Sequence, residues 1–281
     1  MLRKYLPVLG LHGFHRLAYR EWGDPANPKL LLCVHGLTRC GGDFDHLARR
    51  LASTWRVVCP DMPGRGDSEW LPVKSDYAVP TYLADCAALI ARLGVDTVDW
   101  LGTSMGGIIG IHLAAMPGSP IRRLILNDIG PFIPAAGLRR IGVAVGSDPH
   151  FSDRTQALSF LQTAMASFGI HQAEHWQHML DISTRPDGAG GLRLHYDPGL
   201  AEGFHQSVSS DIEFWAAWDA LACPVLTLRG VESDILLPET AREMTARGPK
   251  ARLVEFAGCG HAPALMEPEQ IAVIEKWLND E

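Results

Sequence analysis

Short apolar runs separated by stretches of helical periodicity constrain this chain more than any other feature. Residues 29–34 (KLLLCV), 56–59 (RVVC), 98–101 (VDWL), 123–126, 224–229 and 252–256 each read as a short strand. Most lack the alternation of a half-solvated strand, so both faces must be covered. Strands that alternate with helices and are covered on both sides form a parallel sheet built from βαβ units. Residues 17–22 read as an additional, antiparallel edge strand.

Helical patterns fill the intervals. They cover residues 44–52, 81–93 with Gly94 as the stop, 105–115, and 267–278. One interval breaks the rhythm. Between about residues 131 and 222 there are helix-like stretches but no convincing buried strand. A structureless loop of that length is implausible in a compact domain. The expected organisation is therefore a core domain in two parts, 1–130 and 223–281, with a helical cap inserted at 131–222.

Composition excludes several classes. Hydrophobic residues make up 47% of the 281, enough for a large core and too many for a disordered chain. The net charge of −7 is carried without a basic block, so no nucleic-acid partner is expected. No apolar run approaches the roughly 18 residues that span a bilayer, and that of the N-terminal MLRKYLPVLGL is too short for a signal-peptide core. No membrane partner is therefore expected. The six cysteines (33, 40, 59, 86, 223 and 259) include no CxxC pair, so no metal site is expected. Reduced thiols in a cytoplasmic protein fit them best.

The strongest chemical signal is Gly102-Thr103-Ser104-Met105-Gly106-Gly107. It is a G-x-S-x-G element, with a strand pattern before it and a helix pattern after it. A nucleophile on so sharp a turn needs small residues two positions to either side, where side chains would collide. The helix that follows aims its positive N-terminal end at the same place.

With this element the chain resembles the α/β-hydrolase superfamily, of the compact bacterial type with a helical cap. Further motifs carry the resemblance in the family's order: His35-Gly36-Leu37-Thr38, then Asp61-Met62-Pro63-Gly64-Arg65-Gly66-Asp67-Ser68, then Ser104, Asp234 and His261. The resemblance covers essentially the full length. It implies an α/β-hydrolase fold, a mostly parallel sheet with helices on both faces, and a serine triad.

In that triad His261, in the glycine-containing loop 257–263, is the base that a poorly nucleophilic serine requires. Asp234, after strand 224–229, matches the family position of the acid. Glu232 and Asp128 compete with it, Asp128 because some relatives place the acid after the preceding strand. Met105 N–H and Leu37 N–H are the expected oxyanion donors, with Thr38 N–H as the alternative to Leu37. His35 is expected to hold its loop, and Arg65 to be solvated or salt-bridged rather than a substrate contact. Trp215 and Trp218 share a helix face, which packs on the core or roofs a pocket. Arg193, His195, Tyr196 and Asp197 form a polar cluster within reach of a substrate, and Cys259 is read as packing.

These readings converge on hydrolysis of carboxylic esters of small to medium size, without cofactor. Carbon–carbon hydrolases of ring-fission products share the triad, but many carry an aromatic residue after the catalytic histidine, where this chain has Ala262. Lactonases, perhydrolases and acyltransferases also keep the triad. A ligand receptor on the same scaffold is the reading from a different class. Neither substrate identity nor oligomeric state is legible.

Overall fold

A computed structural model describes residues 1–207 and 209–280. Eight strands form the main sheet: β1 (Leu2–Gly10), β2 (Gly13–Trp22), β3 (Leu30–Val34), β4 (Arg56–Asp61), β5 (Val98–Thr103), β6 (Ile121–Asn127), β7 (Val225–Gly230) and β8 (Arg252–Phe256). Their order across the sheet is β1-β2-β4-β3-β5-β6-β7-β8. The β1–β2 and β2–β4 pairs are antiparallel and the rest parallel.

Apolar residues on both faces of the central strands are what place the sheet in the middle. All five residues of β3 are buried, and they divide between two cores. Leu30, Leu32 and Val34 join the core on one face; Leu31 and Cys33 join the core on the other. Val98 and Trp100 against Leu101, and Leu124 and Leu126 against Ile125, divide in the same way. This is the period-2 geometry of a strand covered twice, with each buried aliphatic side chain contributing about 1.5–3 kcal/mol.

Helices cover each face. Helix α1 (Asp45–Leu51) and the C-terminal α10 (Pro268–Asn279) bury Leu47, Leu51, Ile271 and Ile274 on one side. Helices α2 (Val79–Leu93) and α3 (Met105–Ala114) bury Leu89 and Ile109 on the other. Gly94 ends α2 at φ 68°, the left-handed cap its position suggests. Helix α9 (Pro238–Ala246), which has no counterpart in the sequence reading, adds Ala241 and Met244 to the second core.

Two expectations change. Strand β1 is absent from the sequence reading, and β2 begins four residues earlier than residue 17. An edge strand with charged Arg3 and Lys4 has only part of one face to bury, so its apolar signal is weak. Between β6 and β7 lie helices α4 (Ala135–Gly142), α5 (Arg154–Ala164), α6 (Ala173–Ser183), α7 (Leu200–Ser207) and α8 (Trp215–Asp219). Short strands accompany them, in a three-stranded and a two-stranded sheet that do not join the main one. Each is two or three residues long, too short to leave a periodic signal.

Candidate active site

Ser104 stands between β5 and α3 with φ 50° and ψ −113°, a backbone conformation rare outside glycine. Its flanks explain why the turn can form. A Cβ on Gly102 would lie 2.2 Å from the Gly106 carbonyl oxygen, and one on Gly106 would lie 2.0 Å from that of Val34. No side chain fits at either place, so β3, β5 and α3 close to backbone contact around the serine.

The Ser104 hydroxyl lies 2.9 Å from His261 Nε2. His261 reaches it from the loop after β8. That loop is tied to the segment between β6 and β7: Gly260 N–H donates to the Ser167 carbonyl at 2.7 Å, and Ser167 Oγ to that of His261 at 3.0 Å.

On its other side, His261 Nδ1 donates to Asp128 Oδ2 at 2.7 Å. Asp128 is fully buried just past β6, at φ 57°. It accepts two further bonds: Gly230 N–H donates to Oδ1 at 2.9 Å, and Ser233 Oγ to Oδ2 at 2.5 Å. A carboxylate only accepts hydrogen bonds, so the imidazole proton sits on Nδ1 and the Nε2 lone pair faces the serine.

The expectation that Asp234 holds the imidazole is thereby corrected. Asp234 does not hydrogen-bond His261. It pairs with Arg140 on α4, Nε to Oδ2 at 2.5 Å and Nη2 to Oδ1 at 2.6 Å, and its side chain is 44% exposed. That hydrogen-bonded pairing holds the Asp234 carboxyl below the usual carboxylate range. Residues 230–236 turn so that Ser233, rather than an acid, points inward. Its hydroxyl donates to Asp128 and accepts from the Ile235 and Leu236 amides. Glu232 likewise makes no side-chain bond to the histidine; its amide donates to the Cys259 carbonyl.

The 35–38 loop is fixed by two buried side chains. The Met62 amide donates to His35 Nε2 at 2.9 Å, and His35 Nδ1 donates to the Gly36 carbonyl at 2.7 Å. Burial pushes His35 down to about 3, so it is neutral at any ordinary pH and keeps this tautomer. The Gly36 oxygen also accepts from Arg39 N–H. In a trans peptide the next N–H points the opposite way, so these bonds orient the Leu37 amide. Arg65, fully buried, donates to the Leu37 carbonyl at 2.7 Å, to the Pro63 carbonyl and to Tyr82 Oη. It is neither solvated nor ion-paired, contrary to the sequence reading. Among the described residues the Leu37 and Met105 amides donate no hydrogen bond.

A cavity of about 290 Å³ opens at Ser104, His261 and Leu37. Its walls are largely apolar and come mostly from the segment between β6 and β7, including Val145, Phe160, Met165 and Leu194. Tyr196 lines it too, whereas its sequence neighbours are engaged elsewhere: Arg193 pairs with Asp148, and Asp197 with Lys74 and Tyr77. Trp218 is fully buried and donates to the Arg247 carbonyl, and Arg247 stacks on Trp215; neither indole lines the cavity. Cys259 is buried with its thiol pushed up to about 11 by desolvation, which fits packing. Sequence reasoning missed Ser233, Arg39 and Arg140, none of which carries a recognisable motif.

Residues 31–274 match the alpha/beta hydrolase family. The chain is 48% identical over 275 residues to a 3-hydroxybutyrate-oligomer hydrolase of Cupriavidus necator, covering 95% of this chain and 94% of that one. It is 26% identical over 256 residues to a 2-hydroxymuconate semialdehyde hydrolase of Pseudomonas putida, covering 90% and 87% of the two chains. An alpha/beta hydrolase from Novosphingobium aromaticivorans superposes with a TM-score of 0.89 at 37% identity, over 100% of this chain and 98% of that one.

Proposed function

Since the chain belongs to the alpha/beta hydrolase family, we propose that it cleaves the ester links of short hydroxyacid oligomers through an acyl-enzyme on Ser104. The observation that carries this reading is the unbroken hydrogen-bond chain from Ser104 through His261 to Asp128, opening on a bounded apolar cavity. The 48% identity to a hydrolase of 3-hydroxybutyrate oligomers supports the substrate class. The inserted segment acts as a cap that limits what enters.

In the first half-reaction His261 Nε2 takes the Ser104 proton as Oγ attacks the ester carbonyl. Negative charge moves onto the carbonyl oxygen, where the Leu37 and Met105 amides receive it; losing one such donor costs about 10²–10³-fold in rate. The tetrahedral intermediate collapses, and His261 returns the proton to the departing alkoxide. In the second half-reaction water, deprotonated by the same nitrogen, attacks the acyl carbonyl; the bond to Ser104 Oγ breaks, His261 returns the proton to that oxygen, and the carboxylic acid leaves. Asp128 holds the imidazole upright and stabilises its cation in both halves. None of these steps requires a cofactor. The six free thiols fit work in a reducing, cytoplasmic setting.

Incubation with a 3-hydroxybutyrate dimer, trimer and tetramer tests the substrate class, with products separated by chromatography. Release of monomer at a higher kcat/KM than for p-nitrophenyl butyrate is expected. Turnover of the aryl ester with every oligomer left intact would remove oligomers as substrates. Preferred cleavage of a ring-fission dienoate would instead assign carbon–carbon hydrolysis.

A further inference from the structure

The cavity has apolar walls, yet two cationic side chains reach it, Arg39 and Arg140. They differ in what already occupies them. Arg39 is 7% exposed and engaged at all three nitrogens: Asp43 takes Nε and Nη2, Ser183 Oγ accepts from Nη1, and Met179 Sδ lies against Nη2. Arg140 is half exposed, and Asp234 engages only its Nε and Nη2 edge. Among the described residues Arg140 Nη1 has no hydrogen-bond partner. A guanidinium held side-on by one carboxylate still presents its Nη1/Nη2 end to a second.

The pairing with Asp234 is backed by backbone contact rather than by two loose side chains. A Cβ on Gly137, one turn before Arg140 on α4, would lie 2.7 Å from the Asp234 carbonyl oxygen and 2.6 Å from Ile235 Cδ1. Helix α4 therefore presses directly on the loop after β7. The loop that supplied the expected triad acid instead fixes a guanidinium at the cavity.

We propose that Arg140, oriented by Asp234, receives the free carboxylate at the acid end of the substrate and so selects oligomers that carry one. This rests on the hydroxyacid-oligomer reading above and adds an end-group preference to it. An oligomer of a hydroxyacid has a neutral hydroxyl at one end and a carboxylate at the other. With the carboxylate on Arg140, the neighbouring ester is brought toward Ser104 in one orientation only.

The test uses a 3-hydroxybutyrate dimer and its methyl ester as competitors of p-nitrophenyl butyrate hydrolysis, which reads binding whether or not the dimer itself is cleaved. In the wild type the free acid should compete at lower concentration than the methyl ester. Arg140→Gln should shrink that difference by about 10-fold, and Arg140→Lys should restore part of it. A variant that merely loosens α4 would weaken both competitors alike. An acid-to-ester ratio identical in the wild type and Arg140→Gln would overturn the proposal. Failure of the dimer to be cleaved, with the ratio still dependent on Arg140, would overturn the oligomer reading and leave the carboxylate site standing.

Discussion

Asp128→Asn should lower kcat on p-nitrophenyl butyrate by about 10⁴-fold. The amide can accept from His261 Nδ1 only by turning its NH2 to the other side, toward the Gly230 N–H that now donates to Asp128 Oδ1. If it turns the other way, its NH2 faces Nδ1 and forces the ring proton onto Nε2. The lone pair that Ser104 needs is then lost. Asp234→Asn should change the same rate by less than about 10-fold, because its carboxylate bonds Arg140 and not the imidazole. Steady-state rates of the two variants, measured side by side, separate the candidates. A large loss at position 234 with a small one at 128 would return the acid role to Asp234.

Ser104→Ala should remove at least about 10⁴-fold of the turnover while substrate still binds. The substitution deletes one oxygen and leaves the strained φ in place, and alanine tolerates it no worse than serine. The folded state should therefore survive, with a melting temperature close to that of the wild type. What remains would come from the oxyanion amides and from binding alone. Retention of a rate within 10-fold of wild type would exclude an acyl-enzyme on this residue.

Much of this molecule is legible in its sequence because burial on both faces leaves an unmistakable mark. The runs at β3, β4 and β7 are buried throughout and largely apolar because helices cover both sides of them. The G-x-S-x-G element is legible for a similar reason: at Gly102 and Gly106 any side chain would strike backbone, so the fold dictates the residue. Strand β1 was not legible, since an edge strand with an open face can mix charged and apolar residues freely.

The acid illustrates a different limit. Asp128 and Asp234 both follow core strands, and neighbouring β6 and β7 bring both near the histidine loop. Which of them turns inward depends on short-range loop geometry: the left-handed backbone at Asp128, and the inward Ser233 hydroxyl. Neither has a periodic signature. Arg140 is less visible still, because its significance lies in a contact between α4 and a loop 94 positions later.

A fluorophosphonate that reacts only with an activated serine hydroxyl offers the most direct measurement. Proteolysis and mass spectrometry of the labelled chain should place a single adduct on the peptide containing Ser104. Labelling should slow sharply in Asp128→Asn and vanish in His261→Ala. An adduct on another residue, or undiminished labelling of Ser104 without His261, would contradict a hydroxyl activated by that imidazole.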